Sequence, residues 1–368
     1  MNKRCPIKIE VVTPLSVGAG TSNDWIRGAD YMIKGNKAYV INLEKVVAQG
    51  ICIDKLSELL AKADEKGVDE LIDDKMELVS KYIFDLPAMS TNPIKTFLRS
   101  QLHNKPLIAG SSLKGAIRSI LFSSFRNEER DCGAVLGNIK DNTDFMRFIQ
   151  IGDTEMEATS LVNSRLFNLW KERNKDIWHS GWKHGNNFTS KDYEPMGFNT
   201  LYECVLPGMT GFGNIKFAKD AFSNIASDFK IGKKIKYASA KTELLSLGTE
   251  KLFSIINDAT WDYLQKEKEF FSKYPEAERI NEIMECIDGL SDLIPPKSDC
   301  SYCILKISAG SGFHSITGDW QYDDYLRTGF RTKYVNNRPV KIPNYKSRKI
   351  VEYEGKLQLM GFVKLTAL

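Results

Sequence analysis

Residues 107–118 read LIAGSSLKGAIR, and the reading of this stretch decides the rest. Gly110 permits a tight bend, and Ser111 or Ser112 can accept an N–H bond at the start of a helix. From Ser112 onward Leu113, Ile117, Ile120 and Leu121 fall on one helical face, with Lys114 and Arg118 one turn apart on a neighbouring face. A helix N-terminus with spare amides and two nearby cations suits a phosphate group. It is not a nucleotide P-loop: Gly110 and Gly115 have the spacing, but Ala116 and Ile117 stand where that loop needs lysine and a hydroxyl. The alternative is an ordinary capped helix with two solvated basic residues.

Outward from this turn the pattern alternates strands with helices. CPIKIEVVTPLSVGAG reads as a strand that breaks at Pro14 and at Gly18 and Gly20. KAYVINLEKVV reads as a strand passing into a helix, and residues 51–82 continue as helix. Between Asp54 and Glu77 lie nine acidic and four basic side chains, a segment that repels a phosphate backbone. RFIQIGDTEME reads as a strand ending at Gly152 and Asp153, and LYECVLPGMTGFGNIKF as strand, turn and strand. Residues 164–200, with three tryptophans and two histidines among basic and amide residues, keep no period and suggest an inserted hairpin or long loop. Residues 218–297 are helical by pattern, and SYCILKISAGSGFHSITGDW brings a strand and a second glycine-rich turn before the terminal strand KLQLMGFVKLTAL. Strand, glycine-rich turn and strand recur near both ends, so the class is α+β with two related halves.

Composition narrows the function. The 368 residues, 42% hydrophobic and 27% charged, bury a real core, and a net charge of +4 is too small for bulk electrostatics to decide a partner. Seven scattered cysteines do not form a secretory disulfide framework, and no apolar run approaches a membrane span, so a cytoplasmic protein with no membrane anchor is expected. Cys300 and Cys303 form a C-x-x-C without a second pair for zinc, and the four histidines give no metal-ligand spacing, so no cofactor and no metal are expected. His314 lacks an orienting partner, and Asp24, Asp30 and Asp153 lack a paired carboxylate. Nucleic-acid signals are stronger. Residues 327–349 carry eight basic side chains and no acidic one, with Phe330, Tyr334 and Tyr345 between them, a mixture suited to phosphates and stacked bases. TGFGNIKF, residues 210–217, matches half of the RNP1 pattern, with Gly211, Phe212, Gly213 and Phe217 in place but Thr210 where a cation is usual, and half a motif assigns nothing by itself.

The set TPLSVGAG, IAGSSLKGAIRS, IQIGDTEM, YECVLPGM, SAGSGFHSITG, YKSRKI and LMGFVKL resembles the RAMP superfamily of CRISPR effector proteins, and its order is most similar to the fifth-subunit family of the type III-A Csm complex. That resemblance implies a ferredoxin-like (RRM-like) core with helical insertions. It places a ferredoxin-like N-terminal domain at 1–217 with an acidic helical insertion at about 51–90 and a thumb-like one at about 164–200, a mainly helical segment at 218–298, and RAMP-like strands with a glycine-rich loop at 299–368. It implies a non-catalytic subunit that caps the effector filament at the 3′ portion of the CRISPR RNA and assists its maturation. The implied partners are that guide, a neighbouring backbone subunit, the small subunit and, indirectly, target RNA. Guide-binding candidates are Gly18, Gly20, Gly110, Ser111, Ser112, Lys114, Arg118, Trp178, Trp182, Gly310, Gly312, His314, Arg331, Lys333, Arg348 and Lys349. The sequence departs from the family pattern at Ile307, Ser308 and Ala309 and at Gly361 and Phe362, where glycine–tryptophan pairs are usual. Asp24 is nearest to the loop aspartate of target-cleaving relatives, but its loop matches theirs poorly and catalysis is not carried over. An endoribonuclease using Asp24 or His314, and a scaffold that binds only protein, are the competing readings.

Overall fold

The computed structural model describes residues 3–90, 92–172, 175, 177–184, 189–190, 199–307, 330–335, 338–343 and 347–368. The alternating start forms β1 (Lys3–Val11), which buries Cys5, Ile7 and Ile9 on one face and turns Arg4, Lys8 and Glu10 to the other. A small sheet follows from β2 (Tyr31–Lys34), β3 (Lys37–Ile41) and β4 (Ser80–Asp85). The acidic segment lies between its last two strands as α1 (Leu43–Ala48), α2 (Ile53–Ala61), α3 (Glu65–Ile72) and α4 (Met76–Val79). Asn42 accepts the Lys45 N–H and Asp64 the Gly67 N–H, so the local sequence supplies two of these caps. Val46, Leu56, Val68, Ile72 and Val79 give this insertion a core of its own.

The quoted stretch forms β5 (Leu107–Ile108) and α5 (Gly110–Phe125), followed by α6 (Cys132–Leu136), β6 (Ile149–Ile151) and β7 (Thr154–Glu155). The unperiodic segment is a hairpin, β8 (Ser160–Lys171) with β9 (Trp178–Lys183), continued by β10 (Thr189–Ser190), β11 (Asn199–Cys204) and β12 (Thr210–Phe217). Four helices come next, α7 (Lys219–Ala226), α8 (Ala238–Leu247), α9 (Thr249–Ser272) and α10 (Ile280–Asp292). The chain closes with β13 (Tyr302–Lys306), β14 (Phe330–Val335), β15 (Arg338–Pro343), β16 (Ser347–Tyr353), β17 (Lys356–Gln358) and β18 (Phe362–Ala367).

The main sheet runs β13-β18-β1-β12-β6, antiparallel throughout, so the first strand lies between β12 and the last strand of the chain. Its inner face, with Ile7, Ile9, Ile215, Phe217, Val363 and Leu365, packs on Leu113, Ile117 and Leu121 of α5 and on Leu252 and Phe253 of α9. A second antiparallel sheet, β10-β9-β8-β16-β17, also carries β11 on β8. Its Phe167, Trp182, Ile350 and Leu357 join Leu264 and Phe271 of α9 and Ile287 of α10 in a second core. Helix α9 therefore serves both cores, its first half on one and its second half on the other. The mixed α and β class read from the sequence is the one observed, and residues on both sides of 217/218 and 298/299 share the main sheet.

Burial also moves a titration. Lys241 on α8 is 1% exposed, with Nζ donating to the Val135 carbonyl of α6 at 2.6 Å, and burial pushes its pKa down to about 8. Between that value and the ordinary lysine range of about 10.4 the unfolded chain holds a proton that the folded chain has lost, so stability rises with pH there. Denaturant melts at pH 8 and pH 10 will show Lys241→Met losing that increment relative to wild type, on the order of 2–3 kcal/mol.

Candidate nucleic-acid interface

The Gly18–Gly20 loop and the Gly110 turn are joined by one extended segment. Leu98 N–H donates to Val17 O at 2.8 Å, Leu107 N–H to Leu98 O at 2.7 Å, and Met156 N–H to Pro106 O at 2.8 Å. Residues 15–19, 94–99, 106–108 and 154–156 thus lie side by side, with Gly18 bridged to Phe97. Gly18 and Gly20 are exposed at one edge, and Gly20 has φ 95°, a conformation that a side chain would strain. The structure therefore brings the Gly18–Gly20 loop and the Gly110 turn, ninety residues apart in sequence, into one ribbon.

At the other edge α5 begins. Its N-cap is Ala109 without a side-chain cap, which corrects the expectation for Ser111 or Ser112. The Gly110 N–H donates instead to Asp153 Oδ1 at 2.7 Å, so a carboxylate from the β6–β7 turn already occupies one of the helix's open amides. A Cβ on Gly110 would stand 2.1 Å from the Ile151 carbonyl, so this glycine is needed for close packing against β6. Ser111 is exposed and Ser112 half-buried beside it. Lys114 is half-buried and makes no ion pair among the described residues. Arg118, one turn on, reaches Asp144 at 3.4 Å and the Cys132 sulfur at 3.4 Å, which ties it to α6. The two basic side chains expected to act together thus differ: one is open and the other is held.

Residues the sequence did not flag fix the ribbon. Glu203 of β11 is fully buried; it accepts the Phe97 N–H at 2.7 Å and the Thr159 hydroxyl at 2.6 Å, and pairs with Arg99. The Arg99 guanidinium also lies 4.2 Å from the Tyr82 ring. Lys95 pairs with Asp24, whose side chain is 10% exposed. The YECVLPGM motif contained Glu203, but nothing local to it names Phe97 or Arg99 as partners.

The remaining candidates scatter. Trp182 is 4% exposed, edge-on to Phe167 with ring centroids 5.6 Å apart and with Arg165 over its face at 4.9 Å, so it is a core residue and not a stacking surface as expected. Trp178 is half-buried against Tyr274, centroids 4.9 Å apart. The hairpin is pinned to the α9–α10 connection by His179 and Ser180, both bonded to Glu278. Arg348 is a second correction: it is 7% exposed, donates from Nε to Glu267 Oε2 at 2.6 Å and lies 4.2 Å from the Phe270 ring, so its charge is neutralised inside. Lys349 is exposed and donates to the Tyr202 hydroxyl at 3.0 Å. Arg331 and Lys333 fall on β14, opposite Ile342 and Val340 of β15. Gly310, Gly312 and His314 lie outside the described residues.

Among the described residues no three His, Cys, Asp or Glu side chains gather as a metal site, and Cys303 is core while Cys300 is half-exposed. No described helix is long and apolar enough to cross a membrane.

Comparison with known proteins matches the sequence profile of the RAMP superfamily to residues 8–285. The chain belongs to the RAMP superfamily. No curated protein sequence matches it. This RAMP chain shares its fold with a chain of the Csm–crRNA–target RNA ternary complex of a type III-A CRISPR-Cas system, with a TM-score of 0.62, 16% identity and 100% of both chains covered. It also shares its fold with T. onnurineus Csm5, with a TM-score of 0.58, 16% identity, and 97% of this RAMP chain and 99% of Csm5 covered.

Removing the buried carboxylate strands Arg99 and the Phe97 amide without their acceptor. Glu203→Ala is expected to destabilise the protein by about 3–5 kcal/mol, read as a lower denaturant midpoint, whereas Lys349→Ala on the surface leaves the midpoint within about 0.5 kcal/mol of wild type.

Proposed function

We propose that this RAMP chain is a non-catalytic RNA-binding and assembly subunit of a type III-A Csm effector complex, seated at the end of the filament where it holds the 3′ portion of the CRISPR RNA during its maturation. The observation that carries the reading is the single ribbon linking Gly18, Gly20 and the Gly110 turn, with the open Lys114 at its edge. Small residues let a ribose-phosphate chain come close to main-chain amides, and the lysine offers a mobile cation to a phosphate. The fold likeness along the whole length of a chain in a Csm–crRNA–target RNA complex supports the same assignment. Guide RNA, a backbone subunit and the small subunit are the partners proposed for it. The strand order β18-β1-β12-β6, with α5 between β1 and β6 in sequence, supports a ferredoxin-like core.

The non-catalytic part of the reading is supported by Asp24, which is half-buried and neutralised by Lys95. A carboxylate so engaged is poorly placed to hold a metal ion or take a proton from a ribose hydroxyl.

Removing one cation from a phosphate lowers the salt slope of single-strand binding by about 0.7. Lys114→Ala is expected to weaken retention of a labelled 3′ guide fragment at low salt and to flatten its log–log salt dependence by about that amount; an unchanged titration argues against the ribbon as the site. Incubation with repeat and target RNA, with and without Mg²⁺, is expected to leave both intact. Reproducible products that disappear in Asp24→Ala or His314→Ala would replace this reading with a nuclease.

A further inference from the structure

The half-matched motif TGFGNIKF forms β12, and its aromatic residue is not in the core. Phe212 is 67% exposed on the face of the main sheet opposite α5, at the end of β12 that pairs with β1 and beyond the residues 215–217 that pair with β6. A ring that exposed offers apolar area that a stacked partner would remove from water. Its surroundings name the chemistry of that partner. Lys8 stands directly across from Phe212 on β1, Thr366 across from Lys8 on β18, and Tyr302 across from Thr366 on β13. This row crosses four strands. Four residues along the strands, about 13 Å away, Arg4 faces Lys216, and Gln150 follows on β6. Lys364 lies 3.9 Å from the Tyr302 ring at the other side of the row.

The charge on this face is one-sided. The ionisable side chains of these strands that reach solvent here are Arg4, Lys8, Lys216, Lys364 and Glu10; Glu10 is paired with Lys8 at 3.2 Å, and Asp299, just before β13, lies within electrostatic reach of Lys364. Arg4 and Lys216 make no ion pair among the described residues. Two cations in excess, Arg4 and Lys216, beside an exposed ring fit a phosphate chain carrying a base that stacks, and an apolar protein surface would have to desolvate those cations without return.

We propose that this open sheet face, centred on Phe212, is a second binding surface for single-stranded RNA, separate from the ribbon at Gly18 and Lys114. Phe212 stacks one base, Tyr302 flanks the row, and Arg4 and Lys216 take phosphates along the strand direction. The sheet stands between the two surfaces, because α5 packs on Ile7 and Ile215 while Lys8 and Phe212 point the other way. The inference goes beyond the guide-holding role, since it rests on different residues.

The test uses the full chain and a fluorescein-labelled 12-nucleotide uridine-rich RNA, read by anisotropy across a salt series. Phe212→Ala is expected to weaken binding about tenfold, Phe212→Tyr to retain it, and the paired change Arg4→Ala, Lys216→Ala to lower the salt slope by about 1.4. Combining Phe212→Ala with Lys114→Ala should remove the binding that each single change leaves at the other surface. Because Phe212 is exposed, the variants should melt as wild type does, which keeps folding out of the comparison. If Lys114→Ala weakens binding and Phe212→Ala does not, the sheet-face site is wrong and the ribbon stands. If Phe212→Ala instead changes only self-association in sedimentation, the face is a contact between protein chains and the RNA proposal is overturned.

Discussion

A buried carboxylate organises the site. Glu203 lies without solvent contact between β11 and the 94–99 segment, where it holds a main-chain amide, a guanidinium and a hydroxyl. A charge in that position is tolerable only with all of these partners in place, so it demands one register of the segment against the strand. That register in turn sets Leu98 between Val17 and Leu107, and through them the two glycine turns. The candidate RNA surface is therefore positioned by an ion pair inside the protein, behind the segment that leads into α5.

The same constraint separates basic residues that look alike in sequence. Arg118, Lys241, Lys306 and Arg348 are all basic side chains, yet Arg118 is held by Asp144, Lys241 by the Val135 carbonyl, Lys306 by the Tyr263 hydroxyl at 2.6 Å and Arg348 by Glu267. Their long stems pack in the interior while the heads find an acceptor, which fixes helices to one another and leaves little charge for a ligand. Lys114, Arg4 and Lys216 are left open by contrast, and they mark the two surfaces on which a polyanion can be met.

The hairpin of β8 and β9 shows the opposite exchange. The family resemblance made it a thumb-like insertion with Trp178 and Trp182 as guide-binding candidates, but its inner side belongs to the second core, with Trp182 against Phe167 and Trp178 against Tyr274. Alternation along β8 was hidden because its residues 160–165 pair with β11 and 167–171 with β9, while β16 lies on its other edge. Over 161–164 the strand is covered on both faces, Leu161 in one cluster and Val162 in another, so Asn163 and Ser164 are buried beside them and the period is lost.

The sequence alone determined what depends on near neighbours: the alternation that makes β1, the glycine bend and apolar stripe of α5, the acidic helices with their Asn42 and Asp64 caps, and the strand–turn–strand of β11 and β12. Steric periods and local hydrogen bonds are written within a few residues, and so is a motif set whose order points to the superfamily. Tertiary structure alone decided that the first and last strands lie side by side, that Asp153 and not a serine meets the α5 N-terminus, that Arg348 turns inward, and that Phe212 stands open on a sheet face. Each of those outcomes is a choice of partner across tens or hundreds of residues, set by which burial and which ion pair can be satisfied together, and no window of sequence contains both members of the pair.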